Sequence, residues 1–291
     1  MSAPSTIAAA TALLFVPATR PDRFARALAT GADAIVIDLE DGVAPDARDA
    51  ARESLTAAIA AFGAAQRARA LLRINAVDTR WHAAEVVVAA RLVSEGVASV
   101  MLPKADSATQ VENLARALGP QGCVVPLVES CAGLSTVDGL AEAMGVTRLA
   151  FGNLDLTTDL GIACDEAESE LIPTRFALVH ASRRRGIAAP LDGVTPDARN
   201  ALRVGRDASR AVRMGFGAKL RNHPDQVASV RDAFRPTPAE LDWARRVAVE
   251  ADAGKALFTL DGRMADAPVI ASARRTLARI GHAGTPYAPA G

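Results

Sequence analysis

Eight short apolar runs recur along this chain, each followed by a stretch with helical spacing of apolar and polar positions. The runs are LLFVP (13–17), AIVIDLE (34–40), ALLRIN (70–75), ASVMLP (98–103), CVVPLVE (123–129), RLAFG (148–152), GIAAPLD (186–192) and FGAKLR (216–221). Continuous apolar runs of this length suit parallel strands buried on both faces. The stretches 22–30, 46–62, 80–94, 107–118, 136–145, 166–185, 197–213 and 224–233 predict helices. Gly31, Gly96, Gly145, Gly186 and Gly215 stand near their ends, and Asp106 or Ser107 is placed to cap the fourth. Eight strand–helix alternations predict an α/β fold of the TIM (β/α)8 barrel type rather than an open sheet. No G-x-G-x-x-G or G-x-x-x-x-G-K turn marks a doubly wound nucleotide fold.

After residue 234 the alternation stops. RPTPAELDWARRVAVEADA reads as a helix entered through Pro236 and Pro238, LFTLDGRMADAP turns at Asp261-Gly262, and a last helix is expected near 268–281, before a frayed tail, GHAGTPYAPAG. The expected division is a barrel domain over 1–234 and a C-terminal helical extension over 235–291. The extension is too small for an independent enzyme domain. It suits covering a barrel end or contacting a neighbouring subunit.

Composition narrows the class. A chain of 291 residues accommodates one barrel of roughly 250 residues. Half of it is hydrophobic and only 4% aromatic, so Ala, Leu and Val must fill the core. Thirty-three basic and 33 acidic residues cancel, which argues against nucleic acid as a partner. The Arg183–Arg184–Arg185 run reads as a solvated helix end before Gly186. Three cysteines without C-x-x-C spacing predict free thiols and a reducing, cytoplasmic location, with Cys123 a small core residue. Residues 7–18, IAAATALLFVPA, lack the basic start of a secretory signal and read as the first barrel strand. No run approaches the length of a membrane span.

Polar residues gather at the predicted C-terminal strand ends, where such barrels keep their active sites. Strand 2 ends in Asp38, Glu40 and Asp41, strand 3 in Arg73 and Asn75, strand 4 in Pro103 and Lys104, strand 7 in Asp192. Glu129 closes VVPLVES and Asp155 closes RLAFGNLD, one strand–helix repeat apart. Two adjacent carboxylates with open positions suit a hard cation such as Mg²⁺; the alternative is that each caps the following helix. Arg73 is placed to hold a carboxylate or α-keto acid in bidentate fashion, or else to pair with a rim acid such as Glu40. Glu40 and Asp41 read as acceptors for metal-bound water, or as caps of the helix starting near Asp46. His82 and His180 lie in helical patterns, and no H-E-x-x-H or G-x-S-x-G supports zinc-protease or serine-hydrolase chemistry.

The stretches LLFVPATRPDRFARAL, GADAIVIDLEDGVAPDARDAAR, LLRINA, VMLPKADS, PLVES, LAFGNLDLTTDLG, GAKLRNHPDQV and LDGRMADAPVI stand in order. Together they resemble the citrate lyase beta-subunit-like branch of the HpcH/HpaI aldolase/citrate lyase family, over roughly residues 12–282. The resemblance implies a TIM barrel, a Mg²⁺ ion and lyase chemistry on acyl-CoA thioesters. By motif position Glu129 and Asp155 match the metal ligands, Arg73 the substrate-binding arginine, and Glu40 and Asp41 the acids near the metal. Asp266 matches a C-terminal aspartate that related lyases send into a neighbour's active site, in homotrimers or hexamers. Pro17, Arg20, Lys219 and His223 match stretches lining the CoA side. The sequence departs from the family pattern at Ala18, where Gly is usual, and at Leu220, Arg221 and Asn222. The expected reaction is cleavage or formation of a 3-hydroxy-acyl-CoA of malyl, citramalyl or citryl type. The rivals are a class II keto-acid aldolase that does not use CoA, and a citrate lyase beta-like subunit active only with an acyl-carrier partner.

Overall fold

The structure, a computed structural model, describes residues 6–197 and 199–282. These fall into two compact units that divide between Arg231 and Asp232. The first unit opens with the one-turn helix α1 (Thr6–Ala9) and then alternates. Its strands are β1 (Ala12–Pro17), β2 (Ala34–Asp38), β3 (Ala70–Arg73), β4 (Ser99–Leu102), β5 (Val124–Val128), β6 (Arg148–Phe151), β7 (Ala188–Asp192) and β8 (Ala218–Arg221). All pair in parallel in sequence order, and β8 returns to β1 to close the barrel.

The helices between them are α2 (Phe24–Ala29), α3 (Arg48–Ala60), α4 (Ala64–Arg67), α5 (His82–Ser94), α6 (Ala108–Leu118), α7 (Cys131–Ser135), α8 (Val137–Glu142), α9 (Asn153–Leu160), α10 (Ile172–Arg185) and α11 (Ala201–Met214). Helix α12 (Gln226–Phe234) follows β8 and runs across the division between the units. Ser107 caps α6, its Oγ accepting from the Gln110 amide at 3.4 Å. Helices α10 and α11 end on Gly186 and Gly215 in the left-handed conformation.

Inside the barrel, Leu13, Val36, Leu71, Met101, Val125, Leu127, Leu191 and Leu220 interleave with the small Ala34, Ala150 and Ala218. Mixing aliphatic and alanine side chains fills a narrow interior, with Phe15 packed against it. Fully buried Arg148, at the start of β6, fastens the N-terminal segment: its Nη1 donates to the carbonyls of Ile7 (2.9 Å) and Ala10 (2.8 Å), and its Nε to that of Ala189 (2.8 Å). Residues 7–18 are therefore not all strand. The first of them form α1, anchored by these carbonyls, and β1 begins at Ala12.

Two further expectations need correction. The stretch 136–145 holds α8 only over Val137–Glu142, preceded by the separate short helix α7. The helix expected over 166–185 starts at Ile172, and α9 stands ahead of it. Helix α9 escaped the periodicity argument because it buries only Asn153 and Leu156 and so carries no apolar stripe.

The second unit contains α13 (Pro238–Asp252), a hairpin of β9 (Phe258–Leu260) and β10 (Arg263–Ala265), and α14 (Ala267–His282). It is thus not purely helical. Asp261 (φ 51°) and Gly262 (φ 74°) make the two-residue turn, both left-handed as a tight hairpin requires. Arg246 clamps that turn through Asp261 at 2.8 and 2.6 Å. Ala244, Val247 and Ala273 form the unit's core with Trp243, Phe258, Leu260, Ile270 and Leu277. Asp266 precedes α14, where its Oδ1 accepts from the Val269 amide at 3.3 Å. Most of the tail expected to fray lies outside the described residues. Among the described residues no helix is long and apolar enough to cross a membrane.

Candidate functional site

A cavity of about 270 Å³ opens at the C-terminal ends of the barrel strands. Asp38, Asp41, Arg73, Glu129, Asn153, Asp155 and Asn222 supply its charged and amide lining, and Phe15, Leu127, Phe151, Val194 and Leu220 its apolar wall.

Glu129 follows β5 directly and is 2% exposed. The Lys104 amide donates to its Oε1 at 2.9 Å, presented from a left-handed backbone (φ 44°). Burial pushes the Glu129 carboxyl well above the usual range; the negative charges of Glu40 and Asp155 add to this, and the Lys104 amide opposes it. Asp155 is not at a strand end as expected. Strand β6 stops at Phe151, and Asp155 is the third residue of α9. It still lines the cavity beside Glu129, because α9 starts immediately after the strand.

The capping alternative does not describe either residue. Helix α7 is capped by Ser130, whose Oγ accepts from the Gly133 amide at 3.0 Å, and α9 has no side-chain cap. Nor do Glu40 and Asp41 cap α3, whose N-cap is Ala47.

Arg73 ends β3. Its Nε and Nη2 donate to the two oxygens of Asp38, both at 2.7 Å, and its Nη1 lies 3.0 Å from Glu40 Oε2 and 3.0 Å from Asp41 Oδ2. The guanidinium also packs over the Phe15 ring. Burial disfavours its charge, but the three acids outweigh burial and hold its pKa above the ordinary value. The rim-acid pairing foreseen for Arg73 is therefore present, with Asp38 as chief partner. Asp38 also accepts from the amides of Glu40 (2.9 Å) and Gly42 (2.8 Å), so it organises the whole Asp38–Gly42 turn. Buried Glu40 is pushed up to about 7 by burial, against the pull of Arg73 and Lys104; its Oε1 lies 3.2 Å from Lys104 Nζ.

Lys104 touches both Glu40 and Glu129, and Asp38 holds Arg73. Sequence reasoning noted both at the rim without giving either a role. Asn75 braces the same turn from behind: its Nδ2 donates to the Leu39 carbonyl (2.9 Å) and to Glu85 Oε1 (2.7 Å), and its carbonyl lies 2.8 Å from His82 Nδ1.

The residues expected on the CoA side scatter. Pro17 lines the cavity. Arg20 is a surface residue paired with Asp22 at 2.7 Å, and His223 is half-buried, 3.5 Å from Asp225. Lys219 cannot serve as expected: it is 1% exposed, and its Nζ is spent on Asp192 (3.2 Å) and the Gly193 carbonyl (2.6 Å). Alternation along β8 is the reason, since Ala218 and Leu220 face the barrel interior and Lys219 the opposite side. Leu220 and Asn222, where the sequence departs from the family pattern, do line the cavity.

Among the described residues no group of three or more His, Cys, Asp or Glu side chains is gathered to hold a metal. A cation here would have Glu129 and Asp155 as its protein ligands and take its other oxygens from water or substrate, as hard cations commonly do. Glu129, buried against other acids, has the environment that a cation would relieve.

Comparison with known proteins places this architecture. A citrate lyase subunit beta-like protein of Mycobacterium tuberculosis is 35% identical over 275 residues, covering 93% of this chain and 95% of its own. A (3S)-malyl-CoA thioesterase of Cereibacter sphaeroides is 28% identical, covering 92% of this chain and 93% of its own. The crystal structure of CitE from M. tuberculosis in complex with magnesium, acetoacetate and coenzyme A superposes with a TM-score of 0.80 at 33% identity, over 94% of this chain and 99% of that one. The family model described as HpcH/HpaI aldolase/citrate lyase matches residues 11–224, and the chain belongs to that family.

Proposed function

We propose that this protein is a Mg²⁺-dependent carbon–carbon lyase that cleaves or forms a 3-hydroxy-acyl-CoA thioester of malyl, citramalyl or citryl type. The observation that carries the reading is the buried Glu129 beside Asp155, in one cavity with an arginine fixed by Asp38. Magnesium, acetoacetate and coenzyme A in the M. tuberculosis structure support it.

Glu129 and Asp155 would hold Mg²⁺, which when bound acts as a Lewis acid toward the substrate's oxygens. Asp38 fixes one edge of Arg73, and Asp41, whose side chain is 60% exposed, is the partner a substrate carboxylate displaces most readily. Glu40, poised at about 7, takes the hydroxyl proton in its ionised form. The bond between the carbinol carbon and the thioester α-carbon then breaks, leaving a keto acid and a thioester enolate. Asp266 returns a proton to the enolate carbon, supplied by a neighbouring copy in a homotrimer or hexamer.

The test is keto-acid release from (S)-malyl-CoA and (S)-citramalyl-CoA by purified protein with Mg²⁺. Release abolished by EDTA supports the reading, and the faster substrate names the acyl group. Release of CoA without keto acid would instead indicate thioester hydrolysis, the activity named for the C. sphaeroides relative. Silence without CoA binding in calorimetry would indicate the CoA-independent aldolase. Activity only with an added acyl carrier would indicate a subunit role.

A further inference from the structure

The DLTTD stretch of α9 places two aspartates one helical turn apart, and only Asp155 lines the cavity. Asp159 instead reaches the turn after β5, where its Oδ2 accepts from the Cys131 amide at 2.6 Å. Cys131 opens α7, two residues after Glu129. The helix carrying one proposed metal ligand is thus hydrogen-bonded to the turn carrying the other.

The chemistry of that turn explains why a carboxylate belongs there. The first amides of a helix have no partner within it. Ser130 Oγ serves the Gly133 amide, and Asp159 serves that of Cys131. An ionised acceptor makes this one of the stronger kinds of hydrogen bond, and it lies at a helix N-terminus, where negative charge is favoured. The Cys131 amide, with the Cys131 thiol beside it, accordingly holds the Asp159 carboxyl below its ordinary range.

The opposite side of the pair is fastened by backbone. The Gly152 amide donates to the Val128 carbonyl at 3.0 Å, extending the β5–β6 ladder by one bond. Residues 128–131 and 152–159 therefore form a frame closed at both ends, with Glu129 and Asp155 facing each other inside it. One closure is backbone and common to any sequence; the other depends on the side chain of Asp159.

We propose that Asp159 is a positioning residue for the Glu129–Asp155 pair, setting their separation and hence Mg²⁺ affinity. This rests on the metal reading above. Asp159 is exposed, so its loss is not expected to unfold the barrel.

Calorimetric titration of Mg²⁺ into the whole protein tests it, alongside the thermal midpoint of the metal-free form. Asp159→Ala is expected to weaken Mg²⁺ about 10-fold, the lower end for partners that orient metal ligands, with the midpoint little changed. Asp159→Asn, whose amide oxygen can accept from Cys131 in the same place, is expected to recover most of the affinity. Cys131→Ala keeps the backbone amide and should bind Mg²⁺ like wild type. Wild-type affinity in Asp159→Ala would overturn the proposal, as would an Asn variant as weak as the Ala variant, which would mean that charge acts rather than position. Wild-type protein that binds no Mg²⁺ would overturn it together with the metal reading. The full affinity pattern without thioester cleavage would support positioning while sinking the proposed reaction.

Discussion

Gly152 and Glu129 are packed so closely that only glycine fits: a Cβ on residue 152 would lie 2.4 Å from Glu129 Cβ and 2.5 Å from its Oε2. The F-G-N-L-D stretch thus brings Asp155 to the rim and also leaves room for the neighbouring carboxylate. Gly152→Ala should force Glu129 aside, because a packed barrel rim has little slack. We expect a loss of stability of about 1–3 kcal/mol, typical of overpacking, and weaker Mg²⁺ binding. Denaturant unfolding together with calorimetry measures both. A variant with wild-type Mg²⁺ affinity would show that Glu129 does not need this position.

Direct removal of a ligand should separate metal binding from folding. Glu129→Ala deletes a buried carboxylate that burial already disfavours in its charged form, so the barrel should retain its fold while Mg²⁺ binding is lost. Circular dichroism and Mg²⁺ titration check the two halves, and unchanged turnover in this variant would refute the assignment.

Metal binding should be linked to protons. In the metal-free protein Glu129 is raised well above the carboxylate range and Glu40 to about 7. A cation at Glu129 requires its ionised form, which burial disfavours, so binding should release protons and Mg²⁺ affinity should fall as pH drops. Titration in buffers of different ionisation enthalpy reads the proton count. For the metal-free protein the sign is the reverse of that for an ordinary paired acid. A raised folded pKa contributes stability that is full below the unfolded value of about 4.5 and is lost as pH rises through about 7. Unfolding midpoints rising with pH across that window would contradict the assignment.

Much of this was legible in the chain. All eight apolar runs became strands within about two residues of their expected ends, because continuous burial on both faces leaves a plain signal; AIVIDLE overran β2 because Leu39 and Glu40 are also buried in the turn beyond Asp38. The turn at Asp261-Gly262 was equally plain. Side-chain direction was not. Lys219 sits in a motif beside cavity residues, yet strand alternation sends its amine to Asp192. Asp38 and Lys104 were visible at the rim, but their grip on Arg73, Glu40 and Glu129 depends on contacts 25 to 64 residues apart in sequence, which no local pattern encodes.

Arg73 should not tolerate lysine. Its guanidinium satisfies both oxygens of Asp38 and still reaches Glu40 and Asp41, whereas an ammonium offers no planar fork. Arg73→Lys should keep Mg²⁺ binding and lower kcat/KM about 100-fold, a cost of about 2.7 kcal/mol at 1.36 kcal/mol per tenfold. Arg73→Ala should also destabilise the fold by about 3–5 kcal/mol, since it strands Asp38 and Glu40 as buried acids without their partner. Steady-state kinetics and denaturant unfolding distinguish the two losses. A lysine variant with wild-type kcat/KM would mean that Arg73 serves the rim acids alone.

Asp266 provides the sharpest test of the proposed proton return. It belongs to the second unit, where its only hydrogen bonds among the described residues that bear on structure are the cap of α14 through Oδ1 and a carbonyl bond to Ile270. Asparagine can make the same cap, so Asp266→Asn should fold and bind Mg²⁺ and substrate as wild type does. Asparagine cannot donate a carboxyl proton, so kcat should fall about 10²–10⁴-fold, the usual contribution of a positioned acid or base. Mixing this variant with Glu129→Ala supplies the discriminating measurement. If Asp266 serves a neighbour's cavity, mixed oligomers of two inactive variants will contain sites with both an intact Glu129 and an intact Asp266, and activity will partly return. If each chain uses its own Asp266, no mixture can restore a complete site, and activity will stay at the level of the separate variants.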